Sequence, residues 1–281
     1  MQRSISILFS LLFVSICHAQ GPMRIITAGS AITETVCALG DCDKIVASDR
    51  TSLYPEQIQK LPSIGYRNGI KAEGILSLKP TLVIAEKDYL DDVVLQQLSA
   101  THIKLVVVDR KLNFDDTKKF IQQIAAVLNR KAEGEKLIRE IEEELAAVTA
   151  LLKNKTTTPK VVCIYNRGSA TVTAAGTETF AEILKYAGAE NAFADISGYK
   201  SLNTESLIKA NPEYFLMVSS GFESIGGLEG VLKIPGVALT TAGKKKQVIA
   251  IETLKLTNFG PRFGEAVKEL VLKLHPELAA K

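Results

Sequence analysis

The chain has 281 residues, 46% hydrophobic and 23% charged, with a formal net charge of +3. That length and apolar content allow a sizeable core in one or two domains. The charge is spread along the chain. Lys244-Lys245-Lys246, the only compact basic run, is too small for a nucleic-acid footprint and reads as a solvated turn, which excludes nucleic acid as a partner.

At the start, Met1-Gln2-Arg3 carries one positive charge, Ile5–Ile16 is an apolar block, and Cys17-His18-Ala19 ends on a small residue. This predicts a secretory signal peptide over residues 1–19, cleaved after Ala19. The block is too short for a comfortable membrane span. Lipid anchoring through Cys17 is the weaker alternative, because bulky Ile16 stands where the processing enzyme usually meets a small residue. An exported protein meets oxidising conditions, so Cys37 and Cys42, which flank Gly40 in "CALGDC", are read as a local disulfide or as two buried thiols. Cys163 in "KVVCIY" reads as an inert strand residue. With no CxxC pair and no Cys/His cluster, a structural zinc site is not expected.

Next come "MRIITAG", a first strand, and "AITETVCALG", a helix stopped by Gly40. "KIVAS", "PTLVIAE" and "IKLVVVD" predict further strands, with a helical "LDDVVLQQLSA" before the last of them. Short apolar runs alternating with helices imply βαβ units and a mostly parallel sheet over residues 20–113. From Phe114 to Leu152 there is no proline and only one glycine, Gly134, while Leu137, Ile141, Leu145, Val148 and Leu152 form one apolar stripe. The pattern predicts a single long helix over residues 114–153. A second α/β set occupies residues 154–281: "KVVCIYN", the helix "TFAEILKYAG", "EYFLMVS", "QVIAI" and a C-terminal helix from about Gly264.

One layout occurs twice. "LPSIGYRNGIKAEGILSLKPTLVIA" places Gly65-Tyr66-Arg67 before Glu73, Pro80 and an apolar strand, and "GYKSLNTESLIKANPEYFLMV" repeats it with Gly198-Tyr199-Lys200, Glu205 and Pro212. Two similar α/β lobes would enclose a cleft, where ligand sites tend to lie. Both Gly-Tyr loops are expected at strand-to-helix edges facing it.

These two segments, with "ITAGSAITETVCALG", "AAGTETFAEILKYAGAENAF" and "NFGPRFGEAV", resemble the periplasmic substrate-binding proteins of ABC importers for haem, cobalamin and ferric siderophores. The haem branch is the nearest. The resemblance covers nearly the whole mature chain. It implies two Rossmann-like α/β lobes joined by one long backbone helix, a monomer in the periplasm, and a membrane permease as partner downstream of an outer-membrane haem receptor system. It also implies that Tyr66 supplies an axial oxygen to ferric haem, a known mode of iron ligation. A free phenol ionises near pH ~10, so a neighbouring cation must favour the phenolate. Arg67 is the candidate, although relatives often place this arginine at the position of Asn68, which leaves open a role for Arg67 at a haem propionate. Tyr199 is read as a pocket wall or hydrogen-bond donor, and Arg167 and Arg262 as residues able to reach propionates. By the same resemblance Glu73 and Glu205, one on each lobe, dock to arginines of the permease, a pairing that also steers association.

Some relatives use a second-lobe histidine. The only ones here after Ala19 are His102 and His275, neither in a matching segment, and both are expected to be solvated. The iron is therefore expected to be five-coordinate or to take water as its sixth ligand. Two histidines are too few for a chelating site for bare zinc or manganese. A cobalamin binder of this fold would be expected to stack the corrin on aromatics, commonly tryptophan, and the chain has none. A ferric-siderophore binder is the main alternative. An enzyme is not expected: "NRGSA" lacks the second glycine of a nucleophile elbow, and there is no phosphate loop.

Overall fold

The computed structural model describes residues 22–166 and 172–279. The predicted signal peptide, Cys17 and Arg167 lie outside the described residues. Among the described residues no helix is long and apolar enough to cross a membrane.

Four strands, β1 (Ile25–Ala28), β2 (Ile45–Ser48), β3 (Leu82–Glu86) and β4 (Lys104–Val108), form a parallel sheet in the order β2-β1-β3-β4. Helices α1 (Ser30–Ala38), α2 (Ala72–Ser77) and α3 (Asp92–Ser99) connect them. β1 is buried throughout and β3 over its first four residues, because both faces are covered, which is why they read as continuous apolar runs. Alternation sorts their side chains: Ile25 and Ile84 face one core, Ile26, Val83 and Ala85 the other.

The long helix expected over 114–152 is two helices, α4 (Phe114–Leu128) and α5 (Lys131–Leu152). Asn129 turns left-handed at φ 58°, a conformation asparagine tolerates better than most residues. Arg130 then donates from Nε and Nη2 to the buried Asp41, at 3.0 and 2.7 Å. Residues 129–136 contain no proline and only one glycine, so the corner carries no helix-breaking residue that the sequence would mark. α5 is about 33 Å long at 1.5 Å per residue. Gly134 lets it approach α4 closely, since a Cβ there would lie 2.6 Å from that of Ala125. Its other end reaches the second lobe, where Leu152 covers Gly188.

The second sheet contains β5 (Lys160–Asn166), β6 (Val172–Ala175), β7 (Glu190–Asn191), β8 (Tyr199–Ser201), β9 (Tyr214–Val218) and β10 (Val248–Ile251), ordered β10-β9-β5-β6-β8, with β7 on the start of β5. β10, β9 and β5 are parallel, while β6 and β8 run antiparallel. The sequence reading misses β6, β7 and β8, which are too short to show period-two alternation. Helices α6 (Thr204–Ala210), α7 (Ser219–Ser224), α8 (Gly227–Leu232), α9 (Thr241–Lys245), α10 (Thr253–Thr257) and α11 (Phe263–Leu274) complete the lobe. The expected helix "TFAEILKYAG" is a 3-10 segment, Phe180–Lys185.

Cys37 and Cys42 are disulfide-bonded, which resolves the alternative left by the sequence. Cys163 is buried, and burial pushes its thiol pKa well up. His102 is exposed as expected. His275 is not. It is fully buried, with Nε2 3.0 Å from the Ala187 carbonyl, because Leu274 and Leu278 on either side pull this end of α11 into the core.

The lobes meet through α1 and α4. Ser30 Oγ donates to Asn258 Oδ1 at 2.9 Å, Thr117 Oγ1 to the Phe259 carbonyl at 2.8 Å, and the Tyr186 hydroxyl accepts from Phe114 N at 3.0 Å.

Candidate ligand-binding cleft

The first-lobe wall of the cleft is built on Asp49, 2% exposed, just past the end of β2. Its Oδ1 accepts from Gly29 N at 3.0 Å and Ser52 Oγ at 2.6 Å, and its Oδ2 from Thr51 N at 2.7 Å and from the Tyr89 hydroxyl. A buried carboxylate this fully hydrogen-bonded fixes the C-terminal edges of β1 and β2 and the turn after β3. Burial, then the Asp49 charge, pushes the Tyr89 pKa far above its ordinary value, so Tyr89 is a neutral donor at physiological pH.

Residues 62–65 lie alongside β2 as an added edge. Ile64 N donates to Ser48 O at 2.9 Å and Arg50 N to Gly65 O at 2.8 Å. Gly65 sits at φ +104°, a region open to glycine. Tyr66 follows in extended conformation, half-buried, and Arg67 then adopts φ +41° in a short 3-10 turn anchored by buried Ile70. A left-handed arginine costs roughly 1–2 kcal/mol. Such backbone strain concentrates at functional sites.

Tyr66 thus emerges at the C-terminal edge of a parallel sheet, where ligands bind in open α/β folds. Two guanidinium groups lie over its ring, Arg50 at 5.3 Å and Arg67 at 5.9 Å from the centroid. Arg67 is also 5.0 Å from the Tyr89 ring. A cavity of about 360 Å³ runs from Arg67 and Tyr89 past Arg110 to Thr257 and Asn258 of the second lobe. A neighbouring one of about 440 Å³ shares Arg110 and Leu112 and adds Lys111 and Lys185. Both fall within the size range of ligand pockets. Arg110 is paired with Glu86 at 2.9 Å and Lys87 with Asp109 at 2.7 Å.

The remaining sequence candidates are placed as follows. Tyr199 is 46% exposed in β8 opposite Ala175, its ring 5.0 Å from that of Tyr165, so it stands on an edge strand and not in a loop like that of Tyr66. Arg262 is engaged by partners within the protein. Its Nε and Nη2 grip Glu34 at 2.8 and 3.1 Å, its Nη1 reaches Glu252 at 3.0 Å, and its guanidinium stacks on Tyr54 at 3.7 Å. Glu73 and Glu205 are exposed in the first turns of α2 and α6, the equivalent helices of the two lobes, and neither is ion-paired among the described residues. Sequence reasoning missed Arg50, Asp49 and Glu34. The position of Asp49-Arg50 directly after the strand "KIVAS" was a usable signal for the first two, since loops at strand C-termini face ligands. Among the described residues no group of His, Cys, Asp and Glu could hold a metal ion.

Two α/β lobes whose strand ends converge on a cation-lined cleft define a two-lobed ligand-binding protein. The chain belongs to the periplasmic binding protein family, matched over residues 25–253. It is similar to the periplasmic haem-binding protein RhuT of Roseiflexus sp. RS-1, solved in its apo form, with a TM-score of 0.87 and 36% identity over 92% of this chain and all of that one. The periplasmic haem-binding protein HutB of Vibrio cholerae superposes with a TM-score of 0.83 at 31% identity, covering 90% of this chain and 99% of HutB. A vitamin B12-binding protein of Vibrio parahaemolyticus is 30% identical over 216 residues, 76% of this chain and 77% of that protein. The chain is a binding protein and not an enzyme.

Proposed function

We propose that this chain is the periplasmic receptor of an ABC-type haem importer, which captures ferric haem between its lobes through the Tyr66 phenolate and delivers it to the membrane permease. The observation that carries this reading is Tyr66 itself: a half-buried phenol at the strand-end edge of the cleft, with Arg50 and Arg67 over its ring. Ferric iron is a hard cation and favours an anionic oxygen. Tyr89 is held protonated and is unsuited to that role. His275 is fully buried with its Nε2 on the Ala187 carbonyl, which removes it as an iron ligand. The likeness to proteins named as haem-binding adds weight.

In this reading Arg67, Arg110 and Lys111 form a cationic rim for the propionates, and Arg262 joins the lobes where the sequence assigned it to the ligand. Residues 20–113 and 154–281 form the lobes and 114–153 the connection, now as a two-helix corner. Because side-chain bonds tie the lobes at their base, closure on the ligand is small. Glu73 and Glu205 dock to the permease, the N-terminal signal exports the chain to the periplasm, and the protein works as a monomer supplied by an outer-membrane haem receptor system.

The test is a hemin titration followed by absorbance. Wild type is expected to give the spectrum of a tyrosinate-ligated ferric haem, and Y66F to lose that spectrum and bind more weakly. An unchanged Y66F spectrum removes Tyr66 as the ligand. The likeness to a vitamin B12-binding protein favours a second reading, cobalamin capture, against which stands the absence of tryptophan to stack on a corrin. Parallel titrations with cyanocobalamin and a ferric siderophore separate the three cargoes.

A further inference from the structure

Tyr66 needs to present its oxygen in one direction, and nothing on its own loop does this firmly. The loop is half-exposed, and Arg67, its immediate neighbour, divides its guanidinium between two rings, 5.9 Å from that of Tyr66 and 5.0 Å from that of Tyr89. Arg50 comes from a different segment, the turn after β2. Its guanidinium is the nearer of the two to Tyr66, at 5.3 Å.

Two features make Arg50 a firm support. Its backbone N–H donates to Gly65 O at 2.8 Å, which ties the root of Arg50 to the residue before Tyr66. The preceding residue is Asp49, whose bonds to Gly29, Thr51, Ser52 and Tyr89 immobilise the turn from which Arg50 projects. Neither Arg50 nor Arg67 forms an ion pair among the described residues, so the Arg50 charge is available to the ring. A guanidinium over an aromatic face attracts it electrostatically and fixes its plane. Binding geometry is lost when a ligating group strays by more than about 0.5 Å or 10–20°.

We propose that Arg50 is the positioning residue for Tyr66: it holds the phenol ring in the orientation that ligates the cargo, from a segment with no sequence proximity to it. This rests on the reading of Tyr66 as the iron ligand. This role is distinct from that of Arg67, which the sequence named as the cation favouring the phenolate or reaching a propionate.

The experiment compares R50Q, R50K, R67Q, Y66F and the R50Q/Y66F double variant by hemin titration, reading both the apparent Kd and the tyrosinate-to-iron absorption. Arg50 is exposed, so these variants are expected to fold, and thermal unfolding checks it. R50Q should weaken hemin binding about fivefold, as expected for an exposed cation over a ring, and shift the tyrosinate absorption. R50K should recover most of both, R67Q should shift the absorption less than R50Q does, and R50Q should weaken the Y66F protein less than about threefold. The proposal is overturned if R50Q leaves Kd and absorption at wild-type values, if R50K falls as far as R50Q, or if R50Q costs the Y66F protein as much as it costs wild type. A Y66F protein that keeps the wild-type absorption removes the underlying ligand reading instead, so the two failures are distinct.

Discussion

Glu34, on the first helix of one lobe, holds both edges of the Arg262 guanidinium from the other, at 2.8 and 3.1 Å, with only 3% of the Glu34 side chain exposed. Asn258 donates to the same carboxylate at 3.0 Å, and Ser30 bonds Asn258 in turn. Burial works against the Arg262 charge, but Glu34 and Glu252 together outweigh it and raise its pKa. Breaking a buried pair strands a charge, which typically costs 3–5 kcal/mol. E34A is expected near the low end, about 3 kcal/mol, because Arg262 keeps Glu252 and Tyr54. Urea unfolding measures it, and a loss under about 1 kcal/mol would mean that the pair behaves as a surface bridge.

The corner between α4 and α5 predicts an acid sensitivity. Burial pushes the Asp41 pKa up, but the hydrogen bonds and charges of Arg130 and Lys44 more than reverse this and leave it lowered. A carboxylate with a depressed folded pKa contributes stability above its unfolded value, about 3.9, and loses it as pH falls through the folded value. Wild type should therefore lose stability below about pH 4 more steeply than D41N. Denaturation curves collected from neutral pH down through that range would show parallel slopes if Asp41 played no part.

The Cys37–Cys42 bridge closes a short loop of sequence separation 5 beside the end of α1. Chain entropy gives such a loop about 2 kcal/mol. Reduction, or C37S/C42S, should lower the unfolding free energy obtained from urea denaturation by that amount while the hemin Kd stays within about twofold, since neither cysteine lines the two cleft cavities.

The proposed docking is expected to be separable from capture. Glu73 and Glu205 protrude from matching helices and lie outside the cleft lining. Charge reversal at both, E73K/E205K, should abolish haem uptake by cells carrying the transporter and leave hemin affinity of the purified protein unchanged. Normal uptake by this double variant would dismiss the two carboxylates as docking points.

The amino-acid sequence alone determined the βαβ alternation, the repeated Gly-Tyr layout and the placement of Tyr66, because each is written in local periodicity or in residue types a few positions apart. Tertiary structure alone decided what each cation does. Arg262 lies in a segment that matches the ligand-binding family, yet it is captured by Glu34, 228 positions away. Arg50, just past strand β2, reaches the Tyr66 ring because its backbone bond to Gly65 brings the two loops together. Asn129 breaks a helical stretch that no proline interrupts, because Arg130 gains a buried carboxylate by leaving it. Partners chosen across such separations depend on packing and charge in three dimensions, which local pattern does not encode.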